Sequence, residues 1–209
     1  TGLYGAFAIA AALREVKETG KGAHIDASML GASIGIAALQ TSEFFGTGGS
    51  SPRMGSRHPR NAPYQAFKAS DDYFALAAGN DKLYADVCRI IGRKELLDRE
   101  EFKTTTLRAK NQIELAVLVE EEFAKKTAAE WLDIFGEAGV PCGKINSYKE
   151  ALSHPQVEHC EWVADMTLPN GVETKTFLSP VRFNHTTTPM RSNPPGLNAH
   201  DEEIRAEIA

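Results

Sequence analysis

Paired cysteines, a basic excess and a membrane-length apolar run are all missing from this 209-residue chain. Its three cysteines, Cys88, Cys142 and Cys160, are odd in number and widely spaced. That pattern argues against a disulfide framework and fits reduced thiols in a cytosolic-type compartment. No C-x-x-C or H-x-x-x-H pair accompanies Cys160 and its neighbours His154 and His159, so no metal site is expected. Lys and Arg number 23 against 28 Asp and Glu, a net charge of −5, and the short Lys125–Lys126 cluster is too small to act as a nucleic-acid footprint. No stretch reaches the roughly 20 apolar residues of a membrane span. Arg14, Glu15 and Lys17 interrupt the first apolar helix. The chain has no initiator Met, basic leader or small-residue cleavage site, so no secretory signal is read at its start. Nucleic acid and membrane are therefore not expected partners, and a cytoplasmic location is, a mitochondrial one being open in a eukaryote.

What is present suits a globular fold: 42% hydrophobic and 24% charged residues can build a core of ordinary size. The first residues already read as the inside of a buried helix. From Leu3 to Leu13 the run LYGAFAIAAAL is apolar on every face, which predicts packing surface supplied by a segment before Thr1. This helix should end near Glu18 at the turn TGKG, followed by a strand-like HIDAS and a second apolar helix, MLGASIGIAALQTSEFF. The Gly, Ser and Pro residues of GTGGSSPRMGSRHPRNAP then mark a long surface loop.

Aromatic runs on either side of Ser70, Asp71 and Asp72 read as a hairpin. Asp81 is placed to cap a helix ending at Gly92, and a longer helix is expected over about 107–125. Thr127 with Glu130, and Ser147 with Glu150, form T-x-x-E and S-x-x-E capping boxes. WVADMTL and VETKTFLSPVRF flank Pro169-Asn170-Gly171, an Asn-Gly hairpin signal. Residues 186–195 carry too few apolar side chains for a core and read as an extended strap leading to the last helix, DEEIRAEI.

Several residues could carry chemistry. Cys142 in GVPCGKI sits on a Gly/Pro turn where a nucleophile could lie, but a small structural cysteine is the favoured reading. Gly79-Asn80-Asp81 could cradle a phosphate at a helix start, although one glycine supports a turn capped by Asn80 and Asp81 better. Tyr64, Phe67, Tyr73 and Phe74 could stack on a base, yet strand aromatics more often pack within their hairpin.

Read in order, the early Thr-Gly helix with TGKG and IDASML, then GSRHP with PYQ and Phe67, GND, Arg108 with Asn111, and GVPCGKIN resemble the class III CoA-transferases. This is the formyl-CoA transferase and carnitine CoA-transferase group, also called CaiB/BaiF-like. The resemblance covers essentially the whole chain, as a C-terminal half. It implies an α/β fold with a Rossmann-like large domain, a smaller α+β domain, and connections that interlock two ring-like subunits into a homodimer. On that pattern residues 1–29 are a remnant of the large domain and 30–62 the linker helix and loop. Residues 63–155 are the small domain, and 156–209 the return connection with hairpin, strap and terminal helix.

The resemblance also implies the chemistry: CoA passes from an acyl-CoA to a small carboxylic acid through covalent intermediates on an aspartate. In the family that aspartate directly precedes the Thr-Gly seen here as Thr1-Gly2. No catalytic nucleophile is therefore expected in this chain, which alone would be inactive without its N-terminal half. Asp26 is the best internal alternative, but its position looks structural. Gly55, Ser56, Arg57 and His58 correspond to the loop that covers the reacting aspartate, though relatives of the formyl-CoA branch carry a run of glycines there. Arg57 and His58 could meet an acceptor carboxylate or could simply hold the loop in shape. CoA or acyl-CoA would be a substrate, with no permanently bound cofactor, and CoA-contacting residues are not identified. An acyl-CoA racemase or epimerase of the same superfamily, working by a paired acid and base, is the alternative activity. A fragment inactive without its partner half is the other.

Overall fold

The computed structural model describes residues 1–50 and 52–208. Ser51, inside the Gly/Ser/Pro-rich loop, and Ala209, at the end of the terminal segment, lie outside the described residues. The chain divides into two compact units, Thr1–Gly143 and Lys144–Ala209.

The first unit opens with α1 (Gly2–Thr19), closed by Gly20 in the left-handed region with φ 70°, its N–H donating to the Val16 carbonyl at 2.8 Å. No residue of α1 is buried, and Leu3 and Phe7 are 88% and 76% exposed, so the apolar face foreseen from sequence lies open. HIDAS is not a strand. Residues 21–28 have no ladder partner among the described residues, and Ser28 instead caps the next helix, its Oγ accepting from the Gly31 N–H at 3.1 Å.

The second apolar segment is two helices, α2 (Met29–Ile36) and α3 (Ala38–Thr47), parted at Ala37, where ψ rises to 22°. Hydroxyls that bond back to the preceding turn accompany the break: Ser33 Oγ donates to the Met29 carbonyl, and Thr41 Oγ1 to the Ala37 and Ala38 carbonyls.

The core lies between Ala62 and Val140. Strands β1 (Tyr64–Lys68) and β2 (Tyr73–Ala77) pair antiparallel with Phe67 opposite Phe74, and β3 (Cys142–Lys144) extends the sheet in the order β1-β2-β3. Alternation buries Phe67, Phe74 and Leu76 while Tyr64 and Tyr73 face outward. Helix α4 (Asp81–Ile90) buries Tyr84, Val87 and Cys88 and ends before Gly92, which has φ 76°. Two 3-10 turns, Lys94–Leu97 and Glu100–Phe102, add Leu96 and Phe102 to the core.

The long helix expected over 107–125 is in fact α5 (Thr105–Lys110) and α6 (Gln112–Phe123). Asn111 divides them, because its Nδ2 donates to the carbonyls of Leu107 and Glu101 and its backbone leaves helical geometry. Helix α7 (Ala128–Glu137) starts at the full Thr127–Glu130 capping box. Rings converge on Phe123: Phe74 at 5.1 Å, Phe67 at 5.3 Å, Trp131 at 5.4 Å and Phe135 at 5.9 Å between centroids.

The second unit begins with α8 (Tyr148–Leu152), whose Ser147–Glu150 box is complete, and continues into α9 (Pro155–His159). Strands β4 (Val163–Thr167) and β5 (Glu173–Phe177) form the Asn-Gly hairpin, with Asp165 opposite Lys175 and their charges 2.9 Å apart. The residues after Phe177 do not prolong β5. Instead β6 (Arg182–Phe183) pairs with β7 (Thr186–Thr187) around Asn184 and His185, both at positive φ. The start of the strap is thus a tight ribbon, since Asn tolerates the left-handed turn that reverses the chain. The final helix is α10 (Asp201–Glu207).

The box of α8 predicts a pH effect. The Lys144 ammonium at 2.5 Å, helped by the Ser147 N–H and hydroxyl, holds the Glu150 carboxyl down to about 2. The folded value lies below the unfolded one, so the contribution is complete above the ordinary carboxylate range and is lost as pH falls toward about 2. In an NMR titration the Ser147 amide shift should move with a midpoint near that value, and Glu150→Gln should abolish the movement. A midpoint at the ordinary glutamate value would contradict the box.

Candidate active-site loop

The loop between α3 and β1 is shaped by its own polar groups. Gly55, at φ 63°, makes the turn that lets the Arg57 N–H and Nε donate to the Met54 carbonyl, at 3.2 and 2.9 Å. Arg57 Nη2 also reaches the Arg53 carbonyl at 3.5 Å. Ser56 Oγ accepts from the Ala66 N–H at 3.2 Å, and the His58 N–H donates to the Tyr64 carbonyl at 2.9 Å, so the loop is laid against β1. The His58 ring stacks on Tyr64 with centroids 5.0 Å apart. Its Nδ1 accepts from the N–H groups of Arg60 and Asn61, at 3.2 and 3.1 Å, which places the ring hydrogen on Nε2. Both Arg57 and His58 therefore hold the loop in shape.

Beside the loop is a cleft of about 480 Å³ whose lining includes Glu43, Arg53, Arg57, Lys110 and Ile113. One Glu43 carboxylate oxygen, Oε2, is buried there without a hydrogen-bond partner. Three cations, Arg53, Arg57 and Lys110, thus share the cleft with the Glu43 carboxylate. Asp26 lies apart from it, in a separate apolar groove of about 500 Å³ with Tyr4, Phe7 and Ala32.

The base of the loop meets a buried cation. Arg108 is 1% exposed, and its Nε donates to the Ala62 carbonyl at 3.1 Å and its Nη1 to the Phe102 carbonyl at 3.0 Å. Its Nη2 reaches the Gly79 carbonyl at 3.4 Å, the Asp81 carboxylate at 2.6 Å and Thr105 Oγ1 at 3.1 Å. The guanidinium lies 4.5 Å from the Tyr84 ring centre. Arg108, through its hydrogen bond and charge, holds the Asp81 carboxyl below its usual range.

Asp81 is thus no cap. Asn80 is, its Oδ1 accepting from the Leu83 N–H at 2.8 Å, which occupies the helix start that a phosphate would need. Sequence pattern placed Arg108 in a motif but gave no sign of its burial, since its partners are remote along the chain.

Gly79 has a steric reason to be glycine. A Cβ there would stand 2.5 Å from Asn61 Cβ, inside the loop base. Gly79→Ala should destabilise the fold by about 1–3 kcal/mol. It should also displace Asn61, read as a lowered Tm with the largest amide shift changes at residues 58–63. A change confined to α4 would contradict the close approach.

The remaining candidates are structural. Phe67 and Phe74 pack in the core, and Cys142 donates its thiol to the Leu132 carbonyl at 3.7 Å, with burial raising its pKa. Cys88 is fully buried, and burial pushes its thiol up to about 11.

Comparison with known proteins supplies a context for this arrangement. The family model described as CoA-transferase family III matches residues 1–201. A human succinyl-CoA:glutarate CoA-transferase is 34% identical over 208 residues, covering 100% of this chain and 48% of the relative. An acetyl-CoA:oxalate CoA-transferase of Acetobacter aceti is 38% identical over 148 residues, 71% of this chain and 38% of the relative. The chain thus spans about half the length of the curated relatives it matches. A CaiB/BaiF family structure from Brucella suis, 35% identical, superposes with a TM-score of 0.77 over 100% of this chain and 54% of the other. A Mycobacterium tuberculosis structure at 21% identity shares the fold, with a TM-score of 0.79. No helix among the described residues is long and apolar enough to cross a membrane.

Proposed function

Since this chain belongs to CoA-transferase family III, we propose that the protein it comes from moves CoA from an acyl-CoA to a small dicarboxylic acid. The observation that carries the reading is the full-length similarity of this chain to a relative named for succinyl-CoA and glutarate. Relatives named for oxalate and mesaconate extend the acceptor class to short diacids.

The proposed nucleophile is an aspartate directly before Thr1. Its carboxylate attacks the thioester carbonyl, the C–S bond breaks, and CoA leaves as the thiolate beside an aspartyl anhydride. The thiolate attacks the aspartyl carbonyl, releasing the donor acid and leaving an aspartyl-CoA thioester. The acceptor carboxylate then attacks that thioester, expelling thiolate once more. Attack of this thiolate on the acceptor's own carbonyl gives the new acyl-CoA and returns the aspartate.

Gly55, Ser56, Arg57 and His58 form the cover that keeps water from these intermediates. His58 offers its Nε2–H, and the cationic cleft of Arg53, Arg57 and Lys110 offers charge, to an anionic acceptor. The chain divides functionally into a large-domain remnant at 1–29, linker at 30–62, small domain at 63–155 and return connection at 156–209. The complete protein works as an interlocked homodimer in a reducing compartment, and this half alone is inactive.

Full-length protein incubated with succinyl-CoA and then hydroxylamine or borohydride should carry a modified aspartate before Thr1, detected by mass spectrometry of the peptide. Exchange of the substrate's α-proton with no modified aspartate would replace this reading with racemisation.

A further inference from the structure

The loop that carries Gly55 to His58 returns to the sheet through Ala62 and Pro63, both buried, and the Pro63 carbonyl accepts from the Ala78 N–H at 2.8 Å. Where this base sits decides where the loop sits. Arg108 is the side chain that ties the base to everything around it: Ala62 at the loop, Gly79 and Asp81 at the turn into α4, Phe102 in the second 3-10 turn, and Thr105 in α5.

We propose that Arg108 is a positioning residue for the transfer reaction, clamping the loop base so that the cover closes over the covalent intermediates and excludes water. The inference rests on reading Gly55–His58 as that cover.

Three features favour this over a role in filling the core. An apolar side chain would fill the same space without the desolvation of a cation. The hydrogen bonds leave all three guanidinium nitrogens toward different partners, and the group lies 4.5 Å from the Tyr84 ring centre, so the planar fork is used for geometry. Each of Ala62, Gly79 and Asp81 also lies at the loop base or at the turn facing it, and Gly79 approaches Asn61 so closely that a Cβ would not fit. A lysine in place of Arg108 keeps the charge but has one nitrogen, so it can satisfy only part of this set.

The test uses the full-length protein and the variants Arg108→Lys, Asp81→Asn and Thr105→Ala, assayed with succinyl-CoA and glutarate. Transfer is followed as glutaryl-CoA and hydrolysis as free CoA formed without it. For Arg108→Lys the ratio of hydrolysis to transfer should rise on the order of tenfold. KM for succinyl-CoA should stay within about twofold, because no donor contact is removed. Asp81→Asn and Thr105→Ala should move the ratio the same way by less.

Limited trypsinolysis supplies a readout independent of activity: cleavage after Arg53, Arg57 and Arg60 should accelerate in Arg108→Lys well below its unfolding temperature. A wild-type protein that transfers no CoA would remove the proposed function, and the tryptic arm would still judge the clamp. An unchanged ratio with loop cleavage that only tracks global unfolding would overturn the proposal. If Arg108→Lys does not fold, an unchanged ratio in both Asp81→Asn and Thr105→Ala overturns it equally.

Discussion

Arg108→Met should cost the fold about 3–5 kcal/mol, because truncating one member of a buried polar network leaves its partners desolvated and unpaired. The backbone carbonyls of Ala62, Phe102 and Gly79 lose their donor from Arg108 inside the core, and water cannot replace it. The Asp81 carboxylate contributes less to the loss. Its side chain is 76% exposed, so solvent screens the ion pair and rehydrates the carboxylate once Arg108 is gone. Urea unfolding of the full-length protein, followed by tryptophan fluorescence, should show a lower midpoint for Arg108→Met and only a small shift for Asp81→Asn. Equal shifts for the two would mean that the ion pair, and not the carbonyl set, carries the energy.

The second large effect lies at the ring cluster. Phe123 is fully buried and meets Phe67, Phe74, Trp131 and Phe135, so Phe123→Ala removes the shared partner of the hairpin and α7. Lost transfer energy and an unfilled cavity together predict about 3–5 kcal/mol, with Phe123→Leu losing markedly less because it refills most of the volume. The Trp131 indole N–H donates to the Phe123 backbone carbonyl at 2.9 Å, a bond that substitution of the ring leaves in place. A loss below about 1 kcal/mol would show that the neighbouring rings collapse into the space.

The features legible from sequence are those whose chemistry is local. Thr127 with Glu130, Ser147 with Glu150 and the Asn170-Gly171 turn each complete their bonds within a few residues, so spacing alone places them. The β1–β2 hairpin is likewise read from alternation on either side of Asp71 and Asp72. Periodicity fails at Ala37 and Asn111, where one helical pattern hides two helices. There, side chains bonding to nearby carbonyls accompany a break without altering the apolar spacing.

HIDAS has strand-like composition, but pairing needs a neighbour, and composition does not supply one. The site is the least legible part. Ser56 and His58 are readable as a loop, whereas the cation that fixes its base lies 46 residues further along the chain, in a helix whose pattern gives no reason to bury it. Asp81 is mistaken for a cap for the same reason, since its true partner is 27 residues away.

The Cys88 and Cys142 thiols of this fold also bear on how the protein meets oxidants. With the Cys88 thiol at about 11, only on the order of one in ten thousand is ionised at neutral pH, and the thiolate is the form that peroxide and alkylating reagents attack. Burial raises Cys142 in the same direction. The folded unit therefore keeps the buried Cys88 chemically quiet, and its sudden labelling by iodoacetamide would report that the core around it has opened.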